Sequence, residues 1–195
     1  MNSVSKLSLT KVLIRSQQSV SAQIAWMALF AAATALGARI EIAHQPVPYT
    51  MQTLVVLLAG AFLGPRNGAI SQLLYLSAGV LGAPVFAAGG FGIAKLFGPT
   101  GGYLLAFPVA AALVGYLVRK RKSLLWSFSS MAMGLLVIFA SGTAQLYAVY
   151  FQDWAEAFGA GFLMFSWWDA IKLSAAAMTY HEVAKRWPIV PNESE

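Results

Sequence analysis

Asp169 and Lys172 stand three residues apart in FSWWDAIK (Phe165 to Lys172), at the entry to an apolar run, Ala170 to Tyr180, that reads as a membrane helix. The i,i+3 spacing puts the carboxylate and the ammonium on one helical face. Charges at membrane depth are costly unless they meet a protein interior, a partner charge or a polar ligand. Such a pair is therefore a functional candidate by default. It also reads as a structural ion pair tethering two helices, and the residues alone weigh the two readings equally.

The elements that must position this pair follow from composition. Hydrophobic residues make up 58% of the 195 residues, charged residues only 10%, and mean hydropathy is +0.66, too apolar for a soluble domain. The sequence predicts an all-α integral membrane protein. The formal charge of +6 does not point to nucleic acid, because the cations cluster at the ends of apolar runs. Cysteine is absent, so there are no disulfides, thiolate metal sites or thiol nucleophiles.

Residues 1–20 are polar and carry Lys6, Lys11 and Arg15. The apolar run after them, Ala22 to Ala38, is too long for a signal-peptide core and reads as an uncleaved first helix. Its small residues recur at four-residue spacing, with Ala28, Ala32 and Ala35 among them, and suit close approach of another helix in lipid. Pro46 and Pro48 then exclude a continuing helix. Arg39, Glu41, His44, Tyr49 and Gln52 make the stretch a polar, structured loop in which His44 is expected to be solvated.

Helix two (Met51 to Leu63) and helix three (Ala69 to Leu81) flank a turn from Gly64 to Gly68, and both are short for a straight span. Gly82 to Tyr103 holds seven glycines and two prolines. Non-helical backbone at this depth is tolerated only where protein buries it or a cavity needs it, so a cavity-lining loop is expected. Helix four (Tyr103 to Val118) stops at Arg119 to Lys122. Helix five (Leu124 to Tyr150) precedes a loop containing Asp153 and Glu156, and helix six ends at His181 to Arg186. The expected organisation is thus a segment 1–20, a six-helix membrane domain 21–186 with irregular loops 1–2 and 3–4, and a tail 187–195. Every Lys and Arg except Arg39, Lys95 and Lys172 then falls on the side of the two termini, which predicts cytoplasmic N and C termini.

No catalytic constellation is legible. Lys95 follows Ala94 and precedes Leu96, so the glycine-rich stretch is neither a Walker loop nor a dinucleotide fingerprint. His181-Glu182-Val183-Ala184-Lys185 lacks the second histidine of a zinc protease, and Phe139-Ala140-Ser141-Gly142 lacks the glycine of an intramembrane serine protease. The chain reads as a non-enzyme.

The run PVPYTMQTLVVLLAGAFLGPRNGAISQLLYLSAGVLGAPVF, followed by GPTGGYLLAF and WWDAIK, resembles the BioY family over roughly Ala22 to Ala184. That family supplies the biotin-binding S component of energy-coupling factor (ECF) vitamin transporters. The resemblance implies biotin uptake across the bacterial cytoplasmic membrane, by an S component or a solitary transporter. It implies an outward-facing pocket covered by loop 1–2, biotin as transported ligand rather than cofactor, and no metal. It also implies docking of Ala28, Ala32 and Ala35 to an ECF transmembrane coupling subunit that works with ATPases. Asp169 and Lys172 match the family's biotin-contacting Asp-x-x-Lys. Biotin's ureido ring sets a carbonyl beside N–H groups, which a carboxylate and an ammonium complement. Lys95, Arg39 and the backbone at Gly89 and Gly90 are candidates for the valerate carboxylate, with Tyr49 and Gln52 as further contacts. One departure from the family pattern stands at Ala87 and Ala88, where members carry a polar residue, so part of the polar contact set is absent or replaced. The expected site is one cavity closed from opposite sides by 43–53 and 86–102, with Asp169 and Lys172 in its wall. A structural or assembly subunit remains the alternative, and a homo-oligomer is left open.

Overall fold

A computed structural model describes residues 19–163 and 166–186. The expectations for Lys6, Lys11, Arg15 and the tail 187–195 lie outside the described residues, as do the side chains of Ser166, Lys185 and Arg186.

Helix α1 (Val20–Arg39) starts where the Ser19 hydroxyl accepts the Ala22 N–H at 3.2 Å, satisfying one of the orphan donors of a helix start. The chain then forms a two-residue β-ladder, β1 (Glu41–Ile42) antiparallel to β2 (Tyr49–Thr50), around the proline-stiffened turn. Helices two and three form a single helical run, α2 (Gln52–Val80), folded back on itself at Gly64. Gly64 has φ +80° and ψ −179°, a conformation open essentially to glycine alone. The five-residue turn expected from Gly64 to Gly68 is thus one residue long. Pro65 opens the second arm without penalty because its missing N–H would be unpaired there. Gln52 and Tyr75 meet across the two arms, 52–63 and 65–80.

Two 3₁₀ turns, Ala87–Gly89 and Ile93–Phe97, occupy the glycine-rich connection. Helix α3 (Gly101–Val118) runs through the middle of the bundle, with Ala110, Ala111 and Val114 fully buried. Absent side chains let it approach its neighbours: a Cβ on Gly60 would strike the Ala111 backbone, and one on Gly115 the backbone at Gly64 and Pro65. Helix α4 (Leu124–Leu146), capped by Ser123, continues into a π turn, Tyr147–Phe151. An eight-residue helix, α5 (Trp154–Gly161), lies where a plain loop was expected, and α6 (Ser166–Arg186) completes the bundle.

By length and composition α1, α2, α3 and the run Leu124–Phe151 are apolar enough to cross a membrane. Because α2 is a hairpin, it supplies two passes. Helix α6, whose apolar character Asp169 and Lys172 dilute, is the sixth. The architecture is an all-α membrane bundle with irregular loops 1–2 and 3–4. Helix α1 is peripheral and packs chiefly on α2, to which Thr34 and Gln72 (3.3 Å) and Gln23 and Asn67 (3.2 Å) bind it.

Ala28 and Ala32 face outward from α1, as the small-residue pattern predicts. Ala35 does not share that face. It is half-buried against the core, because the helical rotation turns it toward the bundle.

A cavity under two interlaced loops

Asp169 lies in the first turn of α6 and Lys172 one turn on, with side chains only 2% and 4% exposed. The Lys172 ammonium has three N–H groups and three partners: Asp169 Oδ1 at 2.6 Å, the Thr50 carbonyl at 2.8 Å and the Thr53 hydroxyl at 2.7 Å. Thr53 donates its own proton to Asp169 Oδ1 at 3.0 Å. One carboxylate oxygen is thereby doubly bound, while Oδ2 is buried without a partner among the described residues. A buried acceptor left open calls for an explanation, since the desolvation it suffers is returned only when something donates to it.

The cavity that Asp169 and Lys172 line measures about 520 Å³, within the roughly 300–1,000 Å³ of small-molecule sites. Residues of 41–53 close one side and residues of 86–100 the other, as the irregular backbone of both stretches predicts. Tyr103, Phe107 and Phe139 supply aromatic walls from α3 and α4, and Phe86 packs on Tyr75 with ring centroids 5.6 Å apart. The two loops are laced to each other: the Glu41 carboxylate accepts the Ala88 N–H at 2.9 Å, and Arg39 donates to the Pro84 carbonyl. Gln145 of α4 holds the second 3₁₀ turn from below, donating to Leu96 O at 2.8 Å and Gly98 O at 2.7 Å.

The expected site residues divide accordingly. Asp169, Lys172, Lys95 and Gln52 line the cavity. Arg39, Tyr49, Gly89 and Gly90 are not part of its wall. The Arg39 guanidinium is committed to Pro84, and Tyr49 turns its ring toward His44, 5.2 Å between centroids. Gly89 adopts φ +67°, and Gly90 leaves the space that the Lys95 side chain fills. His44, expected to be solvated, is half-buried and lines the cavity. Thr53 was missed by sequence reasoning, although its place in the polar TMQT run at a helix start was a usable signal.

The arrangement holds an unpartnered acceptor, a saturated cation and a mostly apolar wall, which suits capture of a small polar-headed molecule rather than its conversion.

A BioY family model matches residues 8–189. The chain is 42% identical over 156 residues to the probable biotin transporter BioY of Pyrococcus horikoshii, covering 80% of this chain and 92% of that one. It is 39% identical over 150 residues to the biotin transporter BioY of Thermotoga maritima, covering 77% and 88%. Among solved structures it resembles the S-component for biotin from an ECF-type ABC transporter, with TM-score 0.77, 24% identity, and coverage of 84% of this chain and 90% of that one. At that identity the likeness speaks to the fold.

Proposed function

The chain belongs to the BioY family, and from this together with its cavity we propose that it takes up biotin as an S component of an ECF-type transporter or as a solitary transporter. The observation that carries the reading is the buried Asp169 Oδ2, unpartnered among the described residues, in the wall of a cavity of about 520 Å³. A ureido N–H would satisfy this oxygen, and the aromatic and aliphatic wall suits the bicyclic ring and valerate chain. Lys95, an exposed cation of the wall, would meet the valerate carboxylate in this reading. Lys172 holds the Asp169 carboxylate in place through Oδ1.

The bundle has one end rich in cations, with Arg66, Arg119, Lys120, Arg121 and Lys122, and the cavity lies at the other. With the cations cytoplasmic, the cavity opens to the outside of the bacterial cytoplasmic membrane, where a vitamin is captured. The exposed Ala28 and Ala32 on peripheral α1 suit docking to an ECF coupling subunit, whose ATPases would drive release. The protein itself has no catalytic role in this reading.

Isothermal titration of purified, folded protein with biotin tests the reading directly. Saturable heat accompanied by thermal stabilisation is expected, and neither effect at saturating biotin would overturn it. Uptake of labelled biotin by cells expressing this chain with and without coupling subunits separates the two modes of transport.

A further inference from the structure

Gln52 is 4% exposed, lines the cavity, and has an amide whose orientation the hydrogen-bond network dictates. The chain of bonds begins at the Val85 carbonyl, which can only accept. Tyr75 donates its hydroxyl proton to that carbonyl at 3.2 Å, so the same hydroxyl must accept from Gln52 at 2.6 Å. Only the Nε2 end of Gln52 can donate. Its Oε1 end is turned the other way, accepting the Thr50 hydroxyl at 3.0 Å, and that hydroxyl in turn receives the Gln52 backbone N–H at 3.3 Å. Flipping the amide would set a carbonyl oxygen against the committed Tyr75 hydroxyl. The amide nitrogen carries two N–H groups, and Tyr75 occupies one.

Residues 50–53 therefore fasten two groups in the cavity wall. The Thr53 hydroxyl and the Lys172 ammonium, itself held by the Thr50 carbonyl, occupy Asp169 Oδ1 and leave Oδ2 as an open acceptor. The Thr50 hydroxyl and Tyr75 orient Gln52 and leave one Nε2–H as an open donor. All three N–H groups of Lys172 are already bound within the protein, whereas the amide keeps an N–H to offer.

We propose that Gln52 is a specificity-determining residue: its second Nε2–H reads the carbonyl of a urea-like head while Asp169 Oδ2 reads the neighbouring N–H. This rests on the biotin reading above and deepens it, by assigning the carbonyl to a neutral amide locked by Tyr75. The site would then reject a head that presents donors only.

The probe is 2-iminobiotin, whose protonated head replaces the carbonyl with an N–H donor. Titration of the full chain in detergent at neutral pH compares biotin with 2-iminobiotin, for wild type and for Gln52→Glu, whose carboxylate accepts where the amide donated. Wild type is expected to prefer biotin, and Gln52→Glu to lower the biotin to 2-iminobiotin preference about tenfold or more. An unchanged preference in folded Gln52→Glu overturns the assignment while leaving biotin binding standing. Failure of wild type to bind biotin overturns both. If Gln52→Glu does not yield folded protein, Tyr75→Phe is read the same way. Without the hydroxyl the amide is free to turn, so the preference should narrow, and an unchanged preference overturns the assignment.

Discussion

Thr53 donates its hydroxyl to Asp169 at 3.0 Å across 116 positions of sequence, joining the start of the second membrane pass to the start of the last. The same oxygen accepts from Lys172 at 2.7 Å, so a single hydroxyl completes a closed triangle of carboxylate, ammonium and alcohol. Thr53→Ala should weaken biotin binding by about 1.5–3 kcal/mol, the range for a hydrogen bond to a charged group, whereas Thr53→Ser should restore it. Paired titrations check this, and rescue by serine distinguishes the hydroxyl from the packing of the methyl group.

The two charges should differ in what their loss does. Asp169→Asn keeps size and shape and should weaken biotin binding by about 1–3 kcal/mol. Lys172→Ala leaves a buried carboxylate held by the Thr53 hydroxyl, and should lower folding stability by about 3–5 kcal/mol. Thermal unfolding in detergent, measured beside biotin titration, separates the two outcomes. A Lys172→Ala protein as stable as wild type would show that water or lipid headgroups reach the carboxylate.

Loop lacing should govern how long biotin stays. Glu41→Ala removes the acceptor of the Ala88 N–H and leaves Asp169, Lys172 and Gln52 in place, so the 1–2 and 3–4 loops lose a bond between them. Biotin dissociation should quicken about threefold to tenfold, equivalent to about 1 kcal/mol, with little change in association. Stopped-flow displacement of a labelled biotin reads both rates.

At the far end of the bundle, Gly64→Ala should destabilise the fold by about 1–3 kcal/mol, because φ +80° with ψ −179° strains any residue with a Cβ. The added carbon would also run into the Arg119 guanidinium. Biotin affinity of the folded fraction should hold, since this hairpin tip lies at the opposite end of α3 from the cavity. A lower melting temperature with unchanged titration is the expected pair of results.

Ala32→Leu tests the docking face. The residue is exposed on α1, so the substitution should leave folding and biotin binding intact while impairing uptake that depends on a coupling subunit. Loss of binding would instead place the face inside the working unit.

The membrane character, the six passes and the Asp169–Lys172 pair were legible in the sequence because each is a local property. Hydropathy is set by composition over about 20 residues, and i,i+3 spacing puts two side chains on one face of any helix. The block from PVPYTMQT through WWDAIK likewise carried the family, which the family match then bore out. Even α5, taken for a loop, had a local signal: Asp153-Trp154-Ala155-Glu156 sets an acid three residues before another, and the Asp153 carboxylate does accept the Glu156 N–H at 2.9 Å.

Other features were decided by tertiary structure, since each depends on which long-range partner a polar group finds. Arg39, Lys95 and Lys172 are equally cationic in sequence. The fold commits Arg39 to a loop carbonyl, leaves Lys95 at the cavity wall and encloses Lys172 between Thr50, Thr53 and Asp169. The orientation of the Gln52 amide depends on Val85, 33 positions away, through Tyr75. In a low-dielectric interior every buried donor and acceptor has to be matched, so polar roles are assigned by the network as a whole, whereas apolar segments need only be long enough and face the right way.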